Sequence, residues 1–171
     1  MTNEITIGGD ATGYGGVYIL WVRVAAPLAV VFGRFRGGQP IAVPVGDYLY
    51  VGSALGRLAG RLLRHATRSD GRPPHASRDE LVGRLAAAGL PARLPTDKRL
   101  RWHVDYLLDE PDAELVGVWA WRTNEPLESV LAEWLTFLPG VTPLAAGLGA
   151  SDDRGRTHLL RVLDFIQNQY E

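Results

Sequence analysis

Runs of apolar, β-branched and aromatic residues mark the first elements of the chain. Val17-Tyr18-Ile19-Leu20-Trp21-Val22-Arg23-Val24 and Leu28-Ala29-Val30-Val31-Phe32-Gly33-Arg34-Phe35 read as strands, and Ala25-Ala26-Pro27 between them predicts a hairpin. Gly37 to Pro40 makes a turn, Ile41 to Val45 is a short extended stretch, and Tyr48-Leu49-Tyr50-Val51 is a further strand, broken by a turn at Gly52-Ser53. From there the period changes from two to 3.6. With Ser53 as cap, Leu55, Leu58, Ala59, Leu62 and Ala66 line one face of a predicted helix.

Three more helical patterns and several short strands complete the chain. Ser77 to Ala88 has Leu81, Leu85 and Ala88 as its one apolar side; Lys98 to Leu108, capped by Asp97, buries Leu100, Val104, Leu107 and Leu108. Leu115 to Trp121 is a strand. The helix beginning at Pro126 has the cleanest period in the sequence, through Leu127, Val130, Leu131, Trp134, Leu135 and Leu138, and is predicted to be core. Leu144 to Leu148 and Leu159 to Leu163 are expected as final strands, with a short helix over Phe165 to Tyr170. The expected fold class is α/β of the α+β kind: a small antiparallel or mixed sheet flanked by helices.

Composition sets the scale of the molecule. A chain of 171 residues with 46% hydrophobic content can bury a sizeable core as one domain. Five glycines among the first sixteen residues suggest that 1–16 is a flexible lead-in to a domain spanning 17–171. The polar, Pro- and Gly-containing stretch at about 67–98 reads as a surface insertion. Cysteine is absent, which removes disulfides and thiolate chemistry. With no membrane-length apolar run and no signal pattern, a cytoplasmic location without membrane contact is expected.

Charge changes the picture locally. The formal net charge is −1, so the whole molecule has no field that would attract a polyanion. Between Arg57 and Arg101, however, eleven basic residues face four acidic ones. Arg57, Arg61, Arg64 and Arg68 fall at i, i+4, i+7 and i+11, giving a cationic stripe with no interleaved acid, and His65 lies beside it. Such a stripe suits a phosphate backbone.

These residues, taken in order, carry a resemblance. Gly16-Val17-Tyr18, Tyr50-Val51-Gly52 and the following Arg61 resemble the GIY-YIG nuclease superfamily. With Ser53-Ala54-Leu55-Gly56, the Arg61 to His65 stretch, Trp102 to Leu108, Glu128 to Leu135 and Gly147 to Leu159, the chain is similar to one branch of it, often found alone or fused to an endonuclease III type DNA-repair enzyme. Tyr18 and Tyr50 are separated by an extra strand or two, as in that branch. Ser129, Asp153 and Gly155 stand where the branch commonly has cysteines.

The resemblance implies a metal-dependent endonuclease acting on DNA, in DNA repair or beside a DNA-repair protein. Glu128 would hold Mg²⁺ or Mn²⁺, Tyr18 would help to activate water, Tyr50 would position it or the phosphate, and Arg61 would stabilise developing negative charge. His65 would bond a phosphate or assist proton transfer. Arg57, Arg64, Arg68 and His103 would hold the nucleic acid.

Each residue also has a structural reading. Glu128 is in the first turn of a helix, where the dipole favours a carboxylate, and the tyrosines are ordinary strand aromatics. His103 and Asp105, with Trp102 and Tyr106, can pin a helix by hydrogen bonds. His158 can line the site or cap a turn near Ser151 and Asp152. A Ser53-His65-Asp105 hydrolase triad lacks a G-x-S-x-G elbow, and four histidines without helical pairing make structural zinc a poor match. Two further functions use the same features: a nucleic-acid-binding module that does not cleave, and an adaptor whose arginines meet an acidic protein.

Overall fold

The computed structural model describes residues 4–9, 12–90, 92–149 and 156–163. Its centre is an antiparallel pair of nine-residue strands, β2 (Gly16–Val24) and β5 (Gly46–Ala54), in continuous register from Gly16 opposite Ala54 to Val24 opposite Gly46. The ten-residue β6 (Ala113–Arg122) pairs with the other edge of β2. Beyond β5 lie β8 (Leu159–Val162) and then β7 (Val141–Pro143), all antiparallel. The outer strand beside β6 is β1 (Glu4–Gly8), which runs parallel to it, so the six-stranded sheet is mixed, in the order β1-β6-β2-β5-β8-β7.

Alternation along the central strands sends residues to two faces. Tyr18, Leu20, Val22 and Val24 join Tyr48 and Tyr50 on the larger core, which α1 (Leu58–His65), α2 (Arg78–Ala87) and α3 (His103–Leu108) cover with Leu58, Leu62, Leu81, Leu85, Leu107 and Leu108. Val17, Ile19 and Val51 face the other way and meet Ala132 and Leu135 of α4 (Glu128–Thr136). The fold is therefore the expected α/β arrangement, a mixed sheet with helices on both faces.

Several local expectations are corrected. The segment 1–16 was expected to be a lead-in, but Ile5-Thr6-Ile7 alternate as a strand and Ile5 is buried against β6. No β2–β3 hairpin forms: β3 (Leu28–Val30) pairs with β4 (Ile41–Val43) in a separate two-stranded sheet. Gly52-Ser53 does not break β5, because β2 continues to supply ladder partners as far as Ala54. Consequently α1 begins at Leu58 rather than after a Ser53 cap, and Leu55, expected on its apolar face, is 96% exposed.

The stretch 67–98 is not a surface addition. Leu81, Leu85 and Leu90 belong to the main core, and His75, Ser77 and Lys98 are buried with them. α3 spans His103–Leu108 only. Its first turn is secured by Asp105, whose Oδ2 accepts the N–H groups of Arg101 and Trp102, and not by Asp97. α4 departs most from its expected burial: Ala132 and Leu135 are buried, while Leu127, Val130, Trp134 and Phe137 are exposed. Residues 144–148 form no strand; the pairing partner of β8 is Val141–Pro143. The helix expected over Phe165 to Tyr170 lies outside the described residues, as do Ser151 and Asp152.

Candidate active site

The two tyrosine motifs meet because of their register. Tyr18 stands directly across the β2–β5 ladder from Gly52, and Tyr50 is the partner of Leu20. Their rings lie 6.4 Å apart, centroid to centroid, on the α1 side of the sheet. Both glycines next to the motif tyrosines are sterically required. A Cβ on Gly52 would come 2.5 Å from the Tyr18 hydroxyl oxygen, and one on Gly16 would come 2.2 Å from the Trp121 carbonyl oxygen.

Behind the tyrosines runs a buried polar chain. The Tyr18 hydroxyl is 2.9 Å from Nε2 of His65, and Nδ1 of His65 is 3.0 Å from Oδ1 of Asp105. All three residues are fully buried. Burial would raise the Asp105 carboxyl, but the His65 hydrogen bond and charge, Lys98 and the Trp102 N–H outweigh it and hold the group well below the usual carboxylate range. An ionised carboxylate only accepts, so His65 donates through Nδ1–H and its Nε2 accepts the Tyr18 O–H. Burial lowers the His65 pKa, against the pull of Asp105, which keeps the imidazole neutral. Burial also pushes both tyrosine hydroxyls up.

Arg61, on the exposed side of α1, reaches round the end of β5. Its guanidinium lies 3.6 Å above the Trp102 ring, and Nη1 donates to the Ser53 carbonyl at 3.4 Å. It lies close enough to Tyr18 and Glu128 for its charge to oppose the rise of the one and to lower the other. Glu128, the first residue of α4, arrives from the opposite face of the sheet. Its Oε2 accepts a short hydrogen bond from the Ser53 hydroxyl, and its Oε1 is 2.9 Å from Nδ1 of His158. Burial raises the Glu128 pKa, but His158, Ser53 and Arg61 together bring it below the ordinary value.

Tyr50, Ser53, Arg61, Arg101, Trp102, Glu128 and His158 line one open cleft of about 720 Å³ at this end of the central strands. Tyr18 does not: it is sealed beneath Gly52 and reaches the site only through His65 and Arg61. The stripe divides. Arg61 faces the cleft and Arg57 is exposed at the start of α1. Arg64 lies against Trp102 and 3.9 Å from Asp105, whereas Arg68 bonds the Leu108 and Ala113 carbonyls and Glu114. His103 accepts the Gly149 N–H through Nδ1 and packs on Phe35, which ties down a wall of the cleft.

The residues that sequence reasoning did not place here are Ser53, Trp102 and Arg101, while His158 takes the first of the two positions expected for it and lines the cleft. Ser53 becomes visible only when β5 is extended to Ala54, which puts its side chain on the α4 face. Trp102 precedes α3 with extended backbone, the position at which a side chain can lie across α1.

Comparison with known proteins adds one relation. A family described as "Domain of unknown function DUF123" matches residues 17–170. The chain belongs to that family. No curated protein and no solved structure matches it. The match covers Tyr18, Tyr50, Ser53, Arg61, His65, Arg101, Trp102, Asp105, Glu128 and His158 and begins one residue after Gly16, while β1 precedes it.

A divalent cation bound here would be held by Glu128, whose side chain is 29% exposed in the cleft. Among the described residues no cluster of three or more His, Asp and Glu surrounds it. One carboxylate with a wide polar cleft fits a hydrated ion that takes its remaining ligands from water and substrate oxygens.

Proposed function

We propose that this DUF123 domain is a metal-dependent endonuclease-like domain that hydrolyses DNA phosphodiester bonds, in keeping with its resemblance to GIY-YIG nucleases. The observation that carries this reading is the meeting of Tyr50, Arg61 and Glu128 at one cleft, although they come from a strand and from helices on opposite faces of the sheet.

In this reading Mg²⁺ or Mn²⁺ supplies Lewis-acid stabilisation of the phosphate and an acidified water. Arg61, fixed on Trp102, neutralises charge that develops on the phosphoryl oxygens. The hydroxyl of Tyr50 orients the phosphate. Tyr18, sealed from the cleft, keeps its proton toward the neutral Nε2 of His65 and acts as a positioning residue beneath Gly52 and beside Arg61. Arg101 and Arg57, at and beside the cleft, bind the phosphates on either side of the scissile bond.

The test is a panel of plasmid, flap, junction and damaged duplex DNA incubated with Mg²⁺ or Mn²⁺. Cutting that disappears in Glu128→Ala and in Arg61→Ala supports the reading. The sealed position of Tyr18 favours a second reading, a DNA-binding module that keeps the scaffold without cleaving. Salt-sensitive binding that needs Arg61, with no cutting by any metal, would select it.

A further inference from the structure

We infer that His158 is a second protein ligand for the cation held by Glu128, and that the pair makes the site select Mn²⁺ or a similar transition ion over Mg²⁺. The inference rests on the reading of Glu128 as a cation ligand. His158 immediately precedes β8, where its own carbonyl accepts the Val51 N–H and its N–H donates to Leu148. The backbone is thus pinned on both sides, and the ring is delivered to the α4 face beside Ser53 and Glu128.

The ring is almost wholly buried, at 2% exposure, yet among the described residues neither of its nitrogens makes an aligned hydrogen bond. An imidazole buried with a carboxylate at its edge but no aligned hydrogen bond is costly, and a bound ion is one way to satisfy it. Nδ1 is 2.9 Å from Glu128 Oε1, but the two are not aligned as donor and acceptor. They are a nitrogen and an oxygen donor side by side at one cleft. Two adjacent ligands of an octahedral ion, each about 2.1–2.2 Å from it, stand about 3 Å apart. The observed spacing matches, and the part-exposed Glu128 carboxylate opens the pair to the cleft.

The ligand chemistry sets the preference. Mg²⁺ favours an all-oxygen shell and keeps its water, whereas an imidazole nitrogen adds affinity for first-row transition ions, least for manganese and more for the later ones. Ser53, which bonds the other Glu128 oxygen, holds the carboxylate from outside the shell, as partners of metal ligands commonly do.

The experiment is titration of the purified full chain with MnCl₂, followed by electron spin echo envelope spectroscopy of the bound ion in wild type and His158→Ala. We expect directly coordinated imidazole ¹⁴N in wild type, its loss in His158→Ala, and at least about a tenfold weaker Mn²⁺ affinity in the variant. A hundredfold excess of Mg²⁺ should displace Mn²⁺ from the variant more readily than from wild type. Bound Mn²⁺ without a ¹⁴N coupling, a coupling that survives in His158→Ala, or no Mn²⁺ binding at millimolar concentration would overturn the inference. The wild-type spectrum decides even if the variant does not fold. Imidazole-coordinated Mn²⁺ in a protein that cuts no DNA would uphold this site and remove the nuclease reading instead.

Discussion

Tyr18 and Gly52 face each other across the central ladder so closely that the tyrosine hydroxyl occupies the place of a side chain at 52. This contact holds the phenol against His65 and fixes which motif residues reach the cleft. Gly52→Ala should therefore act through Tyr18. The added methyl cannot fit beside a ring packed in the core, and about 1–3 kcal/mol of destabilisation is expected. Urea unfolding of the variant checks this, and Gly60→Ala, where nothing lies within 4 Å of the added carbon, is the control that should not lose stability.

Asp105 should make the fold acid-sensitive. Its native pKa is depressed by His65, Lys98 and the backbone N–H of Trp102, with Arg64 nearby, so its contribution is full above the unfolded value of about 3.9 and is lost as pH falls below it. His65 acts with the same sign at higher pH: burial lowers its native pKa, so the unfolded chain takes up the proton first, from about pH 6.5 downward. Thermal melts across pH 3 to 8 should show stability falling in these two stages. Asp105→Asn should shrink the lower stage, to which Asp109, Glu114 and Glu128 also contribute, and, by leaving Lys98 with one fewer partner, cost about 3–5 kcal/mol near neutrality.

The burial of 67–98 and the exposure of α4 give opposite expectations for two large side chains. Leu81→Ala should destabilise by about 2–5 kcal/mol, because it opens a hole between α2 and the core. Trp134→Ala, on the open face of α4, should change stability by no more than about 0.5 kcal/mol. Equal effects in denaturant unfolding would contradict the described packing.

Trp102 is expected to matter through Arg61. Removing the ring in Trp102→Ala deprives the guanidinium of its shelf, a contact of about 1 kcal/mol or more where solvent is partly excluded. DNA affinity at low salt should fall roughly fivefold or more, and Arg61→Ala should lose most of its additional effect when placed on Trp102→Ala. Additivity of the two substitutions would show that they act separately.

What the sequence disclosed depended on how local the cause was. The apolar face of α1 was legible because Leu58, Ala59, Leu62 and Ala66 repeat with the helix itself. Its start was not, since Ser53 satisfies a capping rule locally but is held in β5 by a strand more than thirty residues earlier. α4 shows the reverse failure: a clean period announces an apolar face, but among the described residues α4 is the one helix on that side of the sheet and much of its face has no cover. In 67–98 Leu81 and Leu85 were legible as one apolar side, but the polar composition around them suggested a surface position, and Leu90 gave no sign of joining them in the core. For the site, Tyr50, Arg61 and Glu128 were legible as residues through the resemblance, whereas the joining of Tyr18, His65 and Asp105, 47 and 40 residues apart, is a consequence of tertiary packing alone. His158 was visible as a histidine and not as a neighbour of Glu128, because only the β5–β8 pairing brings it there.

The most direct measurement is the single-turnover rate at which the purified protein nicks plasmid DNA in Mn²⁺, compared among wild type, Glu128→Ala and Arg61→Ala at matched folded fractions. The account predicts metal-dependent nicking in wild type and at least about a hundredfold loss in each variant. Nicking that persists in both variants, or no nicking by wild type with either metal, would contradict the assignment of this cleft as a nuclease site.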